Sequence, residues 1–180
     1  MKIESPGYDG TVQAGLFQLT GDNGIGDFAA FCVDVLQYMQ SPDTYAHDPD
    51  LFGASILTNI DRLFTSAYHT VTTGVTAAAF QVALWEIIYD DGGVFDLDAG
   101  NFYTPLNNGC EYNAAVETQA DSFLAGLAGA GTGGYSLTYL HSENGQDLVT
   151  ASPVPLPAAG WMLLAGVSGL VAMRRRRAAS

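Results

Sequence analysis

From Val154 to Met173 the chain carries no charged side chain, and Arg174, Arg175, Arg176 and Arg177 follow at once. About 20 apolar residues at roughly 1.5 Å rise are enough for a helix to cross the hydrocarbon core of a bilayer. A block of arginines resists translocation, which predicts a cytoplasmic end for this segment and an outward-facing remainder. Residues 154–177 are therefore set aside from any globular core. Whatever folds must be built from residues 1–153.

The charges divide along the same line. Four of the six basic residues are the arginines of the tail, so Lys2 and Arg62 alone stand against nineteen acidic residues in the rest of the chain. Nucleic-acid binding is excluded as a role, because phosphate recognition needs clustered Lys and Arg. Direct adsorption of this body to anionic lipid is excluded for the same reason. The acidic balance suits a solvated extracellular surface. Frequent aromatic residues and periodic apolar segments argue against disorder, and about 150 residues suit one compact domain. Met1-Lys2-Ile3-Glu4-Ser5-Pro6 contains no apolar stretch of the kind a secretory signal needs, so an export signal upstream of Met1 is expected.

Residues 7–38 read as strands. One run ends at Thr20, Gly21-Asp22-Asn23-Gly24 supplies a hairpin turn, and Phe28–Tyr38 is the return strand. Ser41–Asp50 reads as a loop. Residues 51–69 have Leu51, Ile56, Ile60, Leu63 and Phe64 at helical spacing. After the break at Thr72-Thr73-Gly74, Thr76 is a candidate N-cap for a second helix over Ala77–Tyr89. Asn113–Leu127 predicts a third helix, with Val116, Ala120, Phe123, Leu124 and Leu127 on one face. Tyr135–Leu140 alternates as a final strand, and Asn144–Ser152 reads as a linker to the tail. These elements give a domain over 1–140, a linker over 141–153 and the tail over 154–177.

Two short segments carry the chemistry. Phe31-Cys32-Val33-Asp34 falls on a predicted strand, and Phe80-Gln81-Val82-Ala83-Leu84-Trp85-Glu86 falls inside a predicted helix. Together they resemble the thioester domains of bacterial surface adhesins, with an aromatic-Cys-aliphatic-Asp motif followed by a Gln-x-Ala-aliphatic-Trp motif. The resemblance implies an internal thioester in which Cys32 gives the sulfur and Gln81 the acyl group, and an amine-bearing surface target that is acylated once. Cysteine suits the role because sulfur is strongly nucleophilic near neutral pH. The two side chains must be held together in a dry site. Phe31, Phe80 and Trp85 are candidates for that dry wall, and Asp34 and Glu86 for proton transfer. Phe80 stands where the family usually has threonine, Phe31 where it has tyrosine, and Leu84 where it has isoleucine. The fold expected is α+β, a β-sandwich or barrel-like sheet with about three helices, followed by the C-terminal transmembrane helix.

The tail has its own resemblance. Val154-Pro155-Leu156-Pro157-Ala158, an apolar span and a terminal arginine cluster are laid out like the PEP-CTERM class of sorting signals, in its Val-Pro-Leu-Pro-Ala variant. That resemblance implies an exosortase-like membrane transpeptidase as partner, with a transient stay in the inner membrane before delivery to the cell surface or extracellular matrix. A plain membrane anchor is the simpler alternative.

Other residues offer other chemistry. In an exported chain, Cys32 and Cys110 are also candidates for a disulfide, and the protein would then be a non-covalent component of the extracellular matrix. Asp90, Asp91, Asp96, Asp98 and Asn101 present hard oxygens at loop spacing, without the order of an EF-hand, and read first as turn residues. His47, His69 and His141 are too scattered for a zinc site. No cofactor is expected.

Overall fold

The computed structural model describes residues 1–90, 94–104 and 111–154. It is a mixed α+β fold: seven strands and three helices in the order β1 (Lys2–Ser5), β2 (Tyr8–Thr11), β3 (Phe17–Gly21), β4 (Gly26–Cys32), β5 (Ala46–His47), α1 (Ala54–Ala67), α2 (Gly74–Tyr89), α3 (Glu111–Gly126), β6 (Tyr135–His141) and β7 (Leu148–Pro153). Among the described residues β1 and β2 form a two-stranded hairpin, and the other five strands form one antiparallel sheet in the order β3-β4-β7-β6-β5. This sheet is open, with β3 and β5 as its edges, and so is not a closed barrel.

The β3–β4 hairpin turns where the glycines and Asn23 predict it. Asn23 has φ 58° and Gly24 has φ 87°, conformations open to Asn and Gly. The return strand is shorter than Phe28–Tyr38. It stops at Cys32 because the Asp34 carboxylate accepts the Leu36 N–H at 2.7 Å, a local turn that competes with the ladder.

Three further strands depart from the sequence reading, and one of them, Ala46–His47, forms inside the predicted loop over Ser41–Asp50 by pairing with β6. Lys2–Ser5 pairs with Tyr8–Thr11 across Pro6-Gly7, and Ile3 is buried. The supposed linker contributes β7, which lies in the middle of the sheet between β4 and β6. Leu148 and Val149 are its buried residues, and the rest is polar enough to read as a tether. The ladder explains its position, since without it the facing edges of β4 and β6 would leave backbone groups unpaired.

The helices follow the predicted periods. In α1, Ile60, Leu63, Phe64 and Ala67 face inward at i, i+3, i+4 and i+7. In α3 and the short turn after it, Val116, Ala120, Phe123, Leu124 and Leu127 are buried, as the pattern predicts. Helix α2 starts three residues earlier than the sequence suggested. Thr73 is its N-cap, and Thr76 occupies the N3 position of a capping box. The Thr73 hydroxyl accepts the Thr76 N–H at 3.2 Å, while the Thr76 hydroxyl accepts the Thr73 N–H at 3.0 Å.

Helix α2 is the centre of the domain. Every residue from Ala78 to Ile87 is buried, as expected of a helix that is apolar all round. It packs against α1 and α3, and meets β4 through a cluster of rings. The Phe31 and Phe80 centroids are 4.6 Å apart, and Phe64 stands edge-on to Phe80 at 4.9 Å. This cluster fixes the register of α2 over β4, and thereby the neighbours of Cys32.

No helix among the described residues is long and apolar enough to cross a membrane. The expected span and arginine cluster lie outside the described residues from Pro155 onward. Val154 is described, and its N–H donates to the Gly134 carbonyl at 3.4 Å.

Candidate functional site

Cys32 is the last residue of β4, and it extends beyond the end of β3. The β3–β4 ladder begins at the Phe17–Ala30 pair, so no strand lies beside Cys32 on that side. Gln81 takes the strand's place. Its Oε1 accepts the Cys32 N–H at 3.0 Å, and its Nε2 donates to the Cys32 carbonyl at 2.7 Å. Gln81 is 0 % exposed and Cys32 1 %. A carboxamide in so apolar a helix would be costly without partners, and the exposed peptide edge of Cys32 supplies both. The two residues that the motifs single out are thus brought together.

The thiol itself points elsewhere. Sγ donates to Oε1 of Gln146 at 2.8 Å, and Nε2 of Gln146 donates to the Asp34 carbonyl. Burial pushes the Cys32 thiol up to about 12, with the Asp34 carboxylate adding to the effect, so Cys32 is a neutral S–H donor near neutral pH. Cys32 is a free thiol in the structure, and Cys110, its alternative disulfide partner, lies outside the described residues.

The turn that carries Gln146 is firmly held. The Tyr45 hydroxyl donates to the Gln146 main-chain carbonyl at 3.3 Å, and the Val33 N–H donates to the Asp147 carbonyl at 2.9 Å. Ser142 donates to Asp43 at 2.7 Å and accepts the Gly145 N–H at 3.0 Å. A Cβ at position 145 would meet the Asp43 carboxylate, so a larger residue there would displace the Asp43–Ser142 contact. Because β7 pairs with β4, the turn leading into β7 arrives at the end of β4, beside the thiol.

The supporting residues divide into two groups. Phe31 and Phe80 pack against each other across the α2–β4 contact. Asp34 lies two residues after Cys32; its carboxylate accepts the Leu36 N–H and its carbonyl accepts from Gln146 Nε2. Trp85 and Glu86 lie further along α2. Trp85 packs near Phe102 at 6.3 Å. Glu86 is fully buried, and its Oε1 accepts the Asp96 N–H at 2.8 Å. Burial pushes its carboxyl up to about 7; the Asp96 N–H opposes that shift, and the Asp90, Asp96 and Asp121 carboxylates add to it. Glu86 therefore braces the segment after α2 through the Asp96 N–H.

The acidic loop residues act within turns. Asp96 accepts the Asp98 N–H at 3.0 Å and Asp90 accepts the Asn101 N–H at 3.2 Å. Asp91 lies outside the described residues. Among the described residues, no three His, Cys, Asp or Glu side chains are arranged to hold a metal ion.

No protein-family model matches the chain. No curated protein matches it either. Among solved structures it is similar to the N-terminal domain of the Streptococcus pyogenes pilus tip adhesin Cpa, with a TM-score of 0.42 and 12% sequence identity over 82% of this chain and 97% of that one.

Gln146 and Tyr89 are the site residues that sequence reasoning missed. The Tyr89 hydroxyl accepts the Val35 N–H at 3.0 Å, closing the segment after Cys32 against the end of α2. Neither had a signal in the sequence. Gln146 sits in a polar run that resembles any solvated turn, and Tyr89 reads as one more apolar helix residue.

Proposed function

We propose that this chain is an exported surface protein that attaches covalently to an amine through an internal Cys32–Gln81 thioester. The observation that carries the reading is the docking of the Gln81 carboxamide on the peptide edge of Cys32 in a dry core. The Cys32 N–H already points at Oε1, the atom on which negative charge develops when the carboxamide carbon is attacked. Closure requires Sγ to leave Gln146 and attack that carbon. Closure forms the Sγ–C bond and breaks the C–N bond, and the thiol proton leaves with ammonia. An incoming primary amine then forms a C–N bond at the same carbon, the C–S bond breaks, and one amine proton returns to sulfur. The acyl donor is consumed, so the protein is a single-use binder and not a turnover enzyme.

The tail supports the surface location. In this reading residues 154–158 are the motif processed by an exosortase-like transpeptidase, the apolar run holds the precursor in the inner membrane, and Arg174–Arg177 keep its end cytoplasmic. The acidic body would then face the surroundings, where it meets an amine-bearing target.

Intact mass is the test. The full chain is expected to be lighter than its sequence by one ammonia and to gain one methylamine on incubation with it, while Cys32→Ala shows neither change. An unmodified mass and no methylamine uptake in the native chain would overturn the reading. A deficit of two hydrogens restored by reductant would replace it with the disulfide.

A further inference from the structure

We infer that Gln146 is a positioning residue that holds the Cys32 sulfur in the opened form of the site and biases it against resealing; this rests on the thioester reading above. In the structure the Cys32 thiol and the Gln81 carboxamide are both intact. In it the S–H donates to Gln146 Oε1 at 2.8 Å, and the Gln146 carboxamide is oriented by its own donation to the Asp34 carbonyl. Once a thioester forms, the sulfur carries no hydrogen, so this bond exists only on the opened side of the equilibrium. An interaction made in one state alone shifts the balance toward that state by its own free energy.

The geometry around Gln146 makes it a fixed acceptor. Tyr45 holds its main-chain carbonyl, the Val33 N–H holds that of Asp147, and Ser142 closes the turn behind it. Gln146 is half-buried, whereas Cys32 and Gln81 are fully buried. When an amine opens the thioester, its proton passes to sulfur and the new S–H is taken up by Gln146 Oε1. The sulfur is then parked away from the fresh amide carbonyl, and the reverse attack loses its nucleophile.

The test uses the full chain and two readings. In a Gln81→Ala, Cys110→Ser background, where no thioester can form and Cys32 is the single cysteine, the infrared S–H stretch reports the bond directly. Gln146→Leu is expected to move that band to higher frequency. With Gln81 present, the closed fraction at a fixed ammonium concentration is read by intact mass. Loss of the bond is expected to raise the closed-to-open ratio in Gln146→Leu by about two- to tenfold. An unmoved S–H band, or an unchanged ratio, overturns the proposal. If the native chain never closes while the band moves as expected, the failure is that of the thioester reading, and the latch falls with it. Should Gln146→Leu not fold, Gln146→Met keeps the length without the oxygen and gives the same two readings.

Discussion

The Tyr89 hydroxyl accepts the Val35 N–H at 3.0 Å, so the last residue of α2 fastens the segment that leaves Cys32. Val35 is buried, and no strand reaches it. Tyr89→Phe removes the acceptor and leaves that N–H unpaired. Stability is expected to fall by about 1–3 kcal/mol. The loss should appear as a lower denaturant midpoint with an unchanged slope, since the surface exposed on unfolding is the same.

Gln81→Leu tests how much of the core depends on the carboxamide. It strands the N–H and the carbonyl of Cys32 together in an apolar environment. The expected loss is about 2–5 kcal/mol, from two unsatisfied backbone groups offset in part by a better-buried side chain. Hydrogen exchange at the Cys32 amide should accelerate by more than the global loss of stability explains.

Glu86 predicts a pH dependence. Its carboxyl titrates at about 7 when folded, against 4.5 for an unperturbed glutamate. Between those values the folded chain holds a proton that the unfolded chain has released, so stability falls as pH rises through this window. Burial also raises the Glu117 and Asp121 carboxyls, which act in the same sense. Thermal midpoints measured from pH 4.5 to 7.5 should therefore decline. Glu86→Gln should flatten the decline, and a profile of unchanged slope in that variant would remove Glu86 as its source.

Alkylation of Cys32 is expected to be slow. A thiol pushed from 9.0 to about 12 holds about a thousandfold less thiolate near neutral pH, and the thiolate is the reactive form. Iodoacetamide should label the folded Gln81→Ala chain at least about 100-fold more slowly than the same chain in denaturant. The rate should keep rising with pH well beyond the range in which an ordinary cysteine levels off.

The helices were legible because each has its own apolar period or, for α2, a run that is apolar from Ala77 to Tyr89 except at Gln81 and Glu86. Leu63, Phe64 and Phe123 fell where spacing put them. The β3–β4 hairpin was legible from Asn23 and Gly24. Strands β1, β5 and β7 were not, since each is short or largely polar and exists because a neighbour offers it a ladder. Leu148 and Val149 are too few to announce a central strand. At the site, Cys32 and Gln81 could be paired from their motifs. Gln146 lies far away in sequence, and only the β4–β7 pairing brings its turn to the thiol.

The placement of β7 also orders assembly in time. As the chain is made or threaded through a pore, β4 and β6 emerge with a gap between them, and nothing earlier in the sequence fills it. A chain cut short before Leu148 would leave β4 and β6 without the strand they share, and Cys32 without its ladder neighbour.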